Sequence, residues 1–408
     1  MNRRQFLIQS SLCSASSLIS IGTHGWAAQS IAAVNPNPQR LIVVFLRGAI
    51  DGLNVVIPYR EPTYYTDRPK IAIPQPGQPN GALDLDGKFG LHPALSPLLP
   101  LWQQKSLAFV HACGSQNETR SHFDAQDYLE SGTPGIKSTR DGWMNRLLGI
   151  ISDKNPIQAV SVGATTPRIL LGKRAVANLA SGRNAGNRQQ IDKPQVASAF
   201  DRLYGNNDAI GRTYREGRLA RTELLKDLEA EMKMANNGAT LPNGFPGDAQ
   251  RLARLMALDP RIQMSFLAVG GWDTHINQGA SQGQLARNLE QLGKGLIALQ
   301  TGLGAAYQNT TIVVMSEFGR TIKENGNGGT DHGHGNVMWL LGGGIRGGTV
   351  YGKWVGLEPA QRDRGRDLAV TTDFRDVLGT VLTRRLAIDA SKLQQVFPGY
   401  QSQMMDLI

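Results

Sequence analysis

Cysteine is nearly missing from this chain of 408 residues, which holds only Cys13 and Cys113. Cys13 lies in an N-terminal segment expected to be removed, so the mature chain keeps one thiol and an intramolecular disulfide is excluded. Aromatic residues make up 6%, and no Lys/Arg tract interleaved with aromatics occurs. The net charge of +10 therefore reads as a solvated surface and not as a nucleic-acid groove, while remaining compatible with an anionic substrate or an envelope polymer. No apolar run reaches the roughly 20 residues of a membrane-spanning helix, so no stable span is expected. No G-x-S-x-G elbow surrounds Ser121, which counts against an ordinary serine hydrolase there, and no internal repeat points to a solenoid.

What is present begins with an address. Asn2-Arg3-Arg4-Gln5-Phe6-Leu7 resembles a twin-arginine export motif and precedes an uncharged, serine-rich apolar stretch to Ile21. With small residues at Gly25-Trp26-Ala27, residues 1–27 are expected to be a signal peptide handled by the twin-arginine translocase, 28–40 a linker, and the mature protein periplasmic or secreted. The 40% hydrophobic content belongs to a globular protein, and residues 41–408 are expected to form one large α/β domain with an inserted cap at 151–260.

Apolar runs at 41–46, 107–111, 262–269 and 312–315 read as buried strands, the pattern of a doubly wound sheet, and 157–162 reads as a strand within the expected cap. Leu285, Leu289, Leu292, Leu296, Leu299 and Leu303 recur at helical spacing and should cover one sheet face, while 213–234 reads as an exposed helix.

The ends of these runs carry the polar residues. Asp51 follows the first, where it serves a turn or holds a cation. Thr119, Arg120 and Ser121 sit at a junction between a strand and a helix. A hydroxyl there caps the helix or, aided by the helix dipole, attacks an anionic ester. Asp273 and His275 lie two apart, so an extended segment points both side chains one way. Glu317 and Arg320 follow the 312–315 run, and the loop Asn325-Gly326-Asn327-Gly328-Gly329 can fold back to present Asp331, His332 and His334 to the same mouth. Carboxylate and imidazole converging at one mouth suggest a divalent metal, whether Zn, Mg, Mn or Ca.

Five motifs carry a resemblance: R-G-A-I-D-G-L-N at 47–54, S-H-F-D-A-Q-D-Y-L-E-S-G at 121–132, G-W-D-T-H at 271–275, S-E-F-G-R at 316–320 and T-D-H-G-H-G at 330–335. Over nearly its whole mature length the chain resembles the exported DUF1501 family, within the alkaline phosphatase-like superfamily. That resemblance implies a mixed α/β sheet with helices on both faces and a metal-assisted phosphatase, phosphodiesterase, phosphomutase or sulfatase site. It implies that Asp273 and His275, with His332 or His334, hold one cation, that Asp51 and Glu317 place a second, harder one, and that Thr119 or Ser121 is the nucleophile. Arg47, Arg120 or Arg320 would clamp the anionic oxygens. Two departures are visible: Phe318 stands where the superfamily has histidine, and no Cys/Ser-x-Pro-x-Arg signature surrounds Ser121. The alternative expectation is a fold that binds an envelope glycan or a partner protein without turnover.

Overall fold

The computed structural model describes residues 37–151, 157–163, 165–181 and 244–408. The expected signal peptide, the linker up to residue 36 and the helix expected at 213–234 lie outside the described residues.

Nine strands build one mixed sheet: β1 (Arg40–Leu46), β2 (Leu107–Gly114), β3 (Ala159–Val162), β4 (Ala177–Leu179), β5 (Met264–Val269), β6 (Thr310–Ser316), β7 (Asn336–Gly342), β8 (Val350–Tyr351) and β9 (Thr372–Asp373). Their order is β8-β2-β7-β6-β1-β5-β3-β4, with β9 also paired to β2. β7 runs antiparallel to both neighbours, whereas β1 is parallel to β5 and β6.

β1 shows why a continuous apolar run forms a central strand. Its alternate residues Ile42, Val44 and Leu46 face one hydrophobic cluster, and Leu41, Val43 and Phe45 face another. Helices close both faces. On one side α1 (His122–Ser131) starts the return from β2, and α2 (Trp143–Ile151) packs below the sheet with α5 (Phe374–Arg385). On the other, α3 (Gly244–Leu258) packs against α4 (Gln284–Leu303), whose leucines at 285, 289, 292, 296, 299 and 303 are all buried. Each such leucine contributes about 1.5–3 kcal/mol of burial. Among the described residues no helix is long and apolar enough to cross a membrane.

The flanks of the expected cap differ from that expectation. β3 and β4 extend the main sheet beyond β5, and α3 lies in the core, because Val160, Ala177 and Leu252 are apolar side chains that bury against the same cluster as β1.

Register then aligns the site. Leu46 pairs with both Val269 and Ser316, so the residues just past β1, β5 and β6 leave the sheet side by side. Cys113 opposite Asn336 brings the exit of β2 and the entry of β7 to the same edge.

Leu296→Ala should lower the unfolding free energy by about 2–5 kcal/mol, because the void lies between two packed helices and the sheet. Lys294→Ala on the exposed face of the same helix should stay within about 0.5 kcal/mol of wild type, and urea unfolding of the two variants checks both.

Candidate metal centre

Four side chains from three segments meet above the carboxyl edge. His122 opens α1, Asp273 and His275 follow β5, and His332 comes from the glycine-rich loop before β7. The loop reaches this point by pairing its own backbone, with Gly319 N donating to His334 O and Gly333 N to Gly319 O, each at 2.8 Å. Only glycine fits at 319, since a Cβ there would lie 1.8 Å from Gly335 O. Gly48, at φ +116, likewise lets the β1 loop approach the Asp273 backbone, which a Cβ would meet at 2.7 Å.

His122, Asp273 and His332 each offer a ligand atom within 4.8 Å of the others. His122 Nε2 is 2.9 Å from His332 Nε2 and 3.5 Å from Asp273 Oδ1, and His332 Nε2 is 3.4 Å from that oxygen. His275 Nε2 joins at 3.0 Å from both His332 Nε2 and Asp273 Oδ1. Tetrahedral N/O ligands at bond lengths of about 2.0–2.1 Å stand roughly 3.3–3.4 Å apart, so the spacing fits a small divalent cation.

The outer nitrogens settle which atoms face inward. His122 Nδ1 donates to Glu317 Oε1 at 2.8 Å, His275 Nδ1 to Asp331 Oδ1 at 3.1 Å, and His332 Nδ1 to Arg120 O at 2.9 Å. Each imidazole therefore spends its Nδ1 proton on an outer acceptor and aims Nε2 at its neighbours. Converging lone pairs at these distances repel one another unless a proton or a cation lies between them. That donor chemistry, with one carboxylate oxygen added, fits zinc or another borderline transition metal.

Local electrostatics follow from the same bonds. Hydrogen bonding to Glu317 outweighs burial and raises His122. Burial, then the charges of His122 and Arg320, lowers His332. Burial pushes Asp273 upward, but the Arg320 guanidinium and the neighbouring histidines prevail and hold it below the usual carboxylate range. Glu317 is also lowered: burial opposes the charge, and the His122, Gln126 and Gly48 hydrogen bonds overcome it.

Asp273, His275 and His332 thus come together as expected, and His122 is a member that the sequence reading passed over. It sits beside Ser121, at a junction read for its hydroxyls. His334 is not part of the group, because Asp363 and the Ser115 carbonyl take both of its ring nitrogens. Where a second cation was expected on Asp51 and Glu317, a protein cation already sits on Asp51 Oδ2, while Asp51 Oδ1 is buried with no hydrogen-bond partner among the described residues. Arg68 Nη1 binds Asp51 Oδ2 at 2.6 Å and Gln278 Nε2 donates to the same oxygen at 2.7 Å, so a guanidinium supplies the positive charge there. Glu317, 1% exposed, accepts from Gly48 N, Gln126 Nε2 and His122 and serves as an orienting group.

The hydroxyls and arginines also have partners. Ser121 Oγ accepts from Asp124 N at 3.4 Å as the cap of α1, and Thr119 Oγ1 accepts from Ser121 N. Arg120 pairs with buried Asp367 at 2.6 Å, and Arg47 with Glu130 and Gln126, both at 2.5 Å. Arg320 is 2% exposed and donates to the carbonyls of Gly48, Ala49, Trp272 and Thr330 and to Asp273 Oδ1. It is a buried brace, whereas the sequence offered it as one of three candidate anion clamps. Phe318 packs its ring 4.9 Å from His122 and 5.2 Å from His332, giving both an apolar backing.

The profile of a family described as "Protein of unknown function (DUF1501)" matches residues 38–405. No curated protein matches the chain. The structure is similar to that of Ps i-CgsB in complex with k-i-k-neocarrahexaose, at 11% identity and TM-score 0.39, covering 89% of this chain and 75% of that one. It is also similar to the C-terminal periplasmic domain of EcEptC from Escherichia coli, at 11% identity and TM-score 0.38, covering 92% and 93%. A third likeness is to the alkaline phosphatase of the Antarctic bacterium TAB5, at 11% identity and TM-score 0.33, covering 75% and 91%.

Arg320→Met would leave four carbonyls and Asp273 without their donor, and urea unfolding should show a loss of about 3–5 kcal/mol. In metal-free protein, an imidazole proton NMR titration should place the His122 midpoint above 6.5 and that of His332 below it, and Glu317→Gln should bring His122 down. Because its folded value is raised, His122 adds stability that is complete below about pH 6.5 and is lost as pH rises through that folded value.

Proposed function

The chain belongs to the DUF1501 family, and from its histidine cluster we propose that it is an exported, metal-dependent hydrolase of phosphate or sulfate esters. The observation that carries this reading is the arrangement of three imidazoles, each with Nδ1 engaged outside and Nε2 turned toward Asp273 Oδ1. His122, His275, His332 and Asp273 would hold one divalent cation. Such a cation supplies Lewis acidity, polarising an ester oxygen and lowering the pKa of a water.

The protein groups do the rest. Glu317, Asp331 and the Arg120 carbonyl hold the three rings in register, and Arg320 keeps Asp273 ionised by a 2.5 Å charge-assisted bond. The half-exposed Asp273 and His275 leave one side of the group open to solvent and so to an ester. A water is the assigned nucleophile, with Ser121 and Thr119 as the alternatives, since each accepts one backbone N–H bond and keeps a second lone pair. Its oxygen bonds to phosphorus or sulfur, the ester P–O or S–O bond breaks, and the alcohol leaves with a proton. The twin-arginine motif and the absence of disulfide chemistry suit an exported protein that folds before translocation.

One observation favours the second reading, an envelope-binding protein without turnover: Arg68 sits on Asp51, so the leaving group would lack the two-cation clamp of related chemistry. Elemental analysis after zinc loading should find one equivalent, lost in His122→Ala and in His332→Ala and kept in Asp51→Asn. Glu317→Gln should weaken metal affinity about 10–100-fold. With 4-nitrophenyl phosphate, bis(4-nitrophenyl) phosphate and 4-nitrophenyl sulfate as substrates, at least one should turn over in the loaded protein and fail in both alanine variants. Stoichiometric zinc with no turnover of any ester would establish the binding reading instead, and no bound metal would sink both the site and the mechanism.

A further inference from the structure

Beside the metal centre, α1 and the loop after β3 enclose a cleft of about 500 Å³. This is within the range of about 300–1,000 Å³ typical of small-molecule sites. It adjoins the cluster through Gln126, a wall residue that donates to Glu317, the acceptor of the His122 proton. The charges lining the cleft cancel in pairs. Arg47 is bound to Glu130 at 2.5 Å, and Arg168 to Asp127 at 2.7 Å. A second anionic group entering there would find no uncompensated cation to meet it, so the cleft suits a neutral occupant.

Its apolar surface is equally specific in position. Phe266 of β5, 1% exposed, only floors the cleft, and the accessible ring is that of Phe123, next to His122, which stands at the rim 88% exposed. A lone exposed phenyl carries no meaning by itself, but this one borders a cleft that also presents the hydroxyls of Thr165 and Thr166, the amide of Gln126 and the two charge pairs. A ligand that satisfies both has one flat C–H face and a perimeter of hydroxyls. We infer that this cleft is a subsite for a neutral sugar ring, so that the ester cleaved at the metal centre is carried on a carbohydrate. The reaction assignment rests on the hydrolase reading above, whereas the binding of sugar does not.

The test uses zinc-loaded mature protein and neutral trisaccharides built on glucose, galactose and N-acetylglucosamine, titrated by calorimetry and by amide NMR. At least one should bind saturably, with shifts confined to α1 and to residues 162–163 and 165–168. Phe123→Ala should weaken that binding about three- to tenfold, the worth of one aromatic contact, and Phe123→Tyr should restore it. Zinc stoichiometry should be the same in all three proteins, since a phenyl ring offers no metal-ligand atom. Zinc-loaded protein that binds no trisaccharide, or binds one equally well after Phe123→Ala, overturns the subsite and leaves the hydrolase reading intact. Saturable, Phe123-dependent sugar binding without hydrolysis of any ester supports the subsite and sinks the hydrolase reading. Binding of free 4-nitrophenol in the cleft in place of sugar overturns the carbohydrate assignment.

Discussion

The buried guanidinium of Arg320 is the constraint on which the functional edge depends. Four backbone carbonyls from the loops after β1 and β5 and from the glycine-rich loop converge on one cation, with Asp273 Oδ1 completing the set. A charge moved this far from water is costly unless its donors are well matched, and here that cost ties three separate loops to one geometry. Without it the carbonyls of Gly48, Ala49, Trp272 and Thr330 would each need another donor in a crowded space. Close packing at Gly48 and Gly319 allows the loops to approach the guanidinium at all.

The same brace sets the electrostatics of the cluster. Arg320 holds Asp273 ionised, and it also depresses His332, which keeps that ring neutral and its Nε2 available. Glu317 acts in the opposite sense on His122. A group with one raised and one lowered histidine accommodates a proton between His122 and His332 when no cation is bound, and releases it when one is. Phe318 supports this by walling both rings with hydrocarbon, so water cannot easily separate them.

Elsewhere at the edge the protein uses its own cations. Arg68 lies over Asp51 and also donates to Asn54 and to the carbonyls of Thr321 and Ile322, so a residue suited to metal binding serves as an anchor for the excursion after β1. Arg120 and Arg366 share the buried carboxylate of Asp367 beside His332, stiffening the segment that supplies the Nδ1 acceptor. The cluster is thus surrounded by paired charges, and its open side is the side lined by Asp273 and His275.

Sequence by itself determined the elements and the edge. Leu41–Leu46 of β1 and Thr310–Met315 of β6 are unbroken β-branched and apolar runs, the pattern of strands buried on both faces. The leucine period of α4 specifies a helix with one buried face, and polar residues that begin where each apolar run stops had to lie at the strand ends. Asp273 and His275 were legible because two residues on one extended segment share a direction. Tertiary structure decided the partners. His122 and Glu317 are 195 residues apart, and no local pattern records that they meet. The choice of His332 over His334 depends on Asp363 and Ser115 reaching the second ring first. Whether Asp51 met a metal or a guanidinium was set by where the segment after β1 folded back to deliver Arg68. A side chain's type is a local property, but its role depends on which charges and lone pairs the fold brings within about 3 Å of it, and those come from the whole chain.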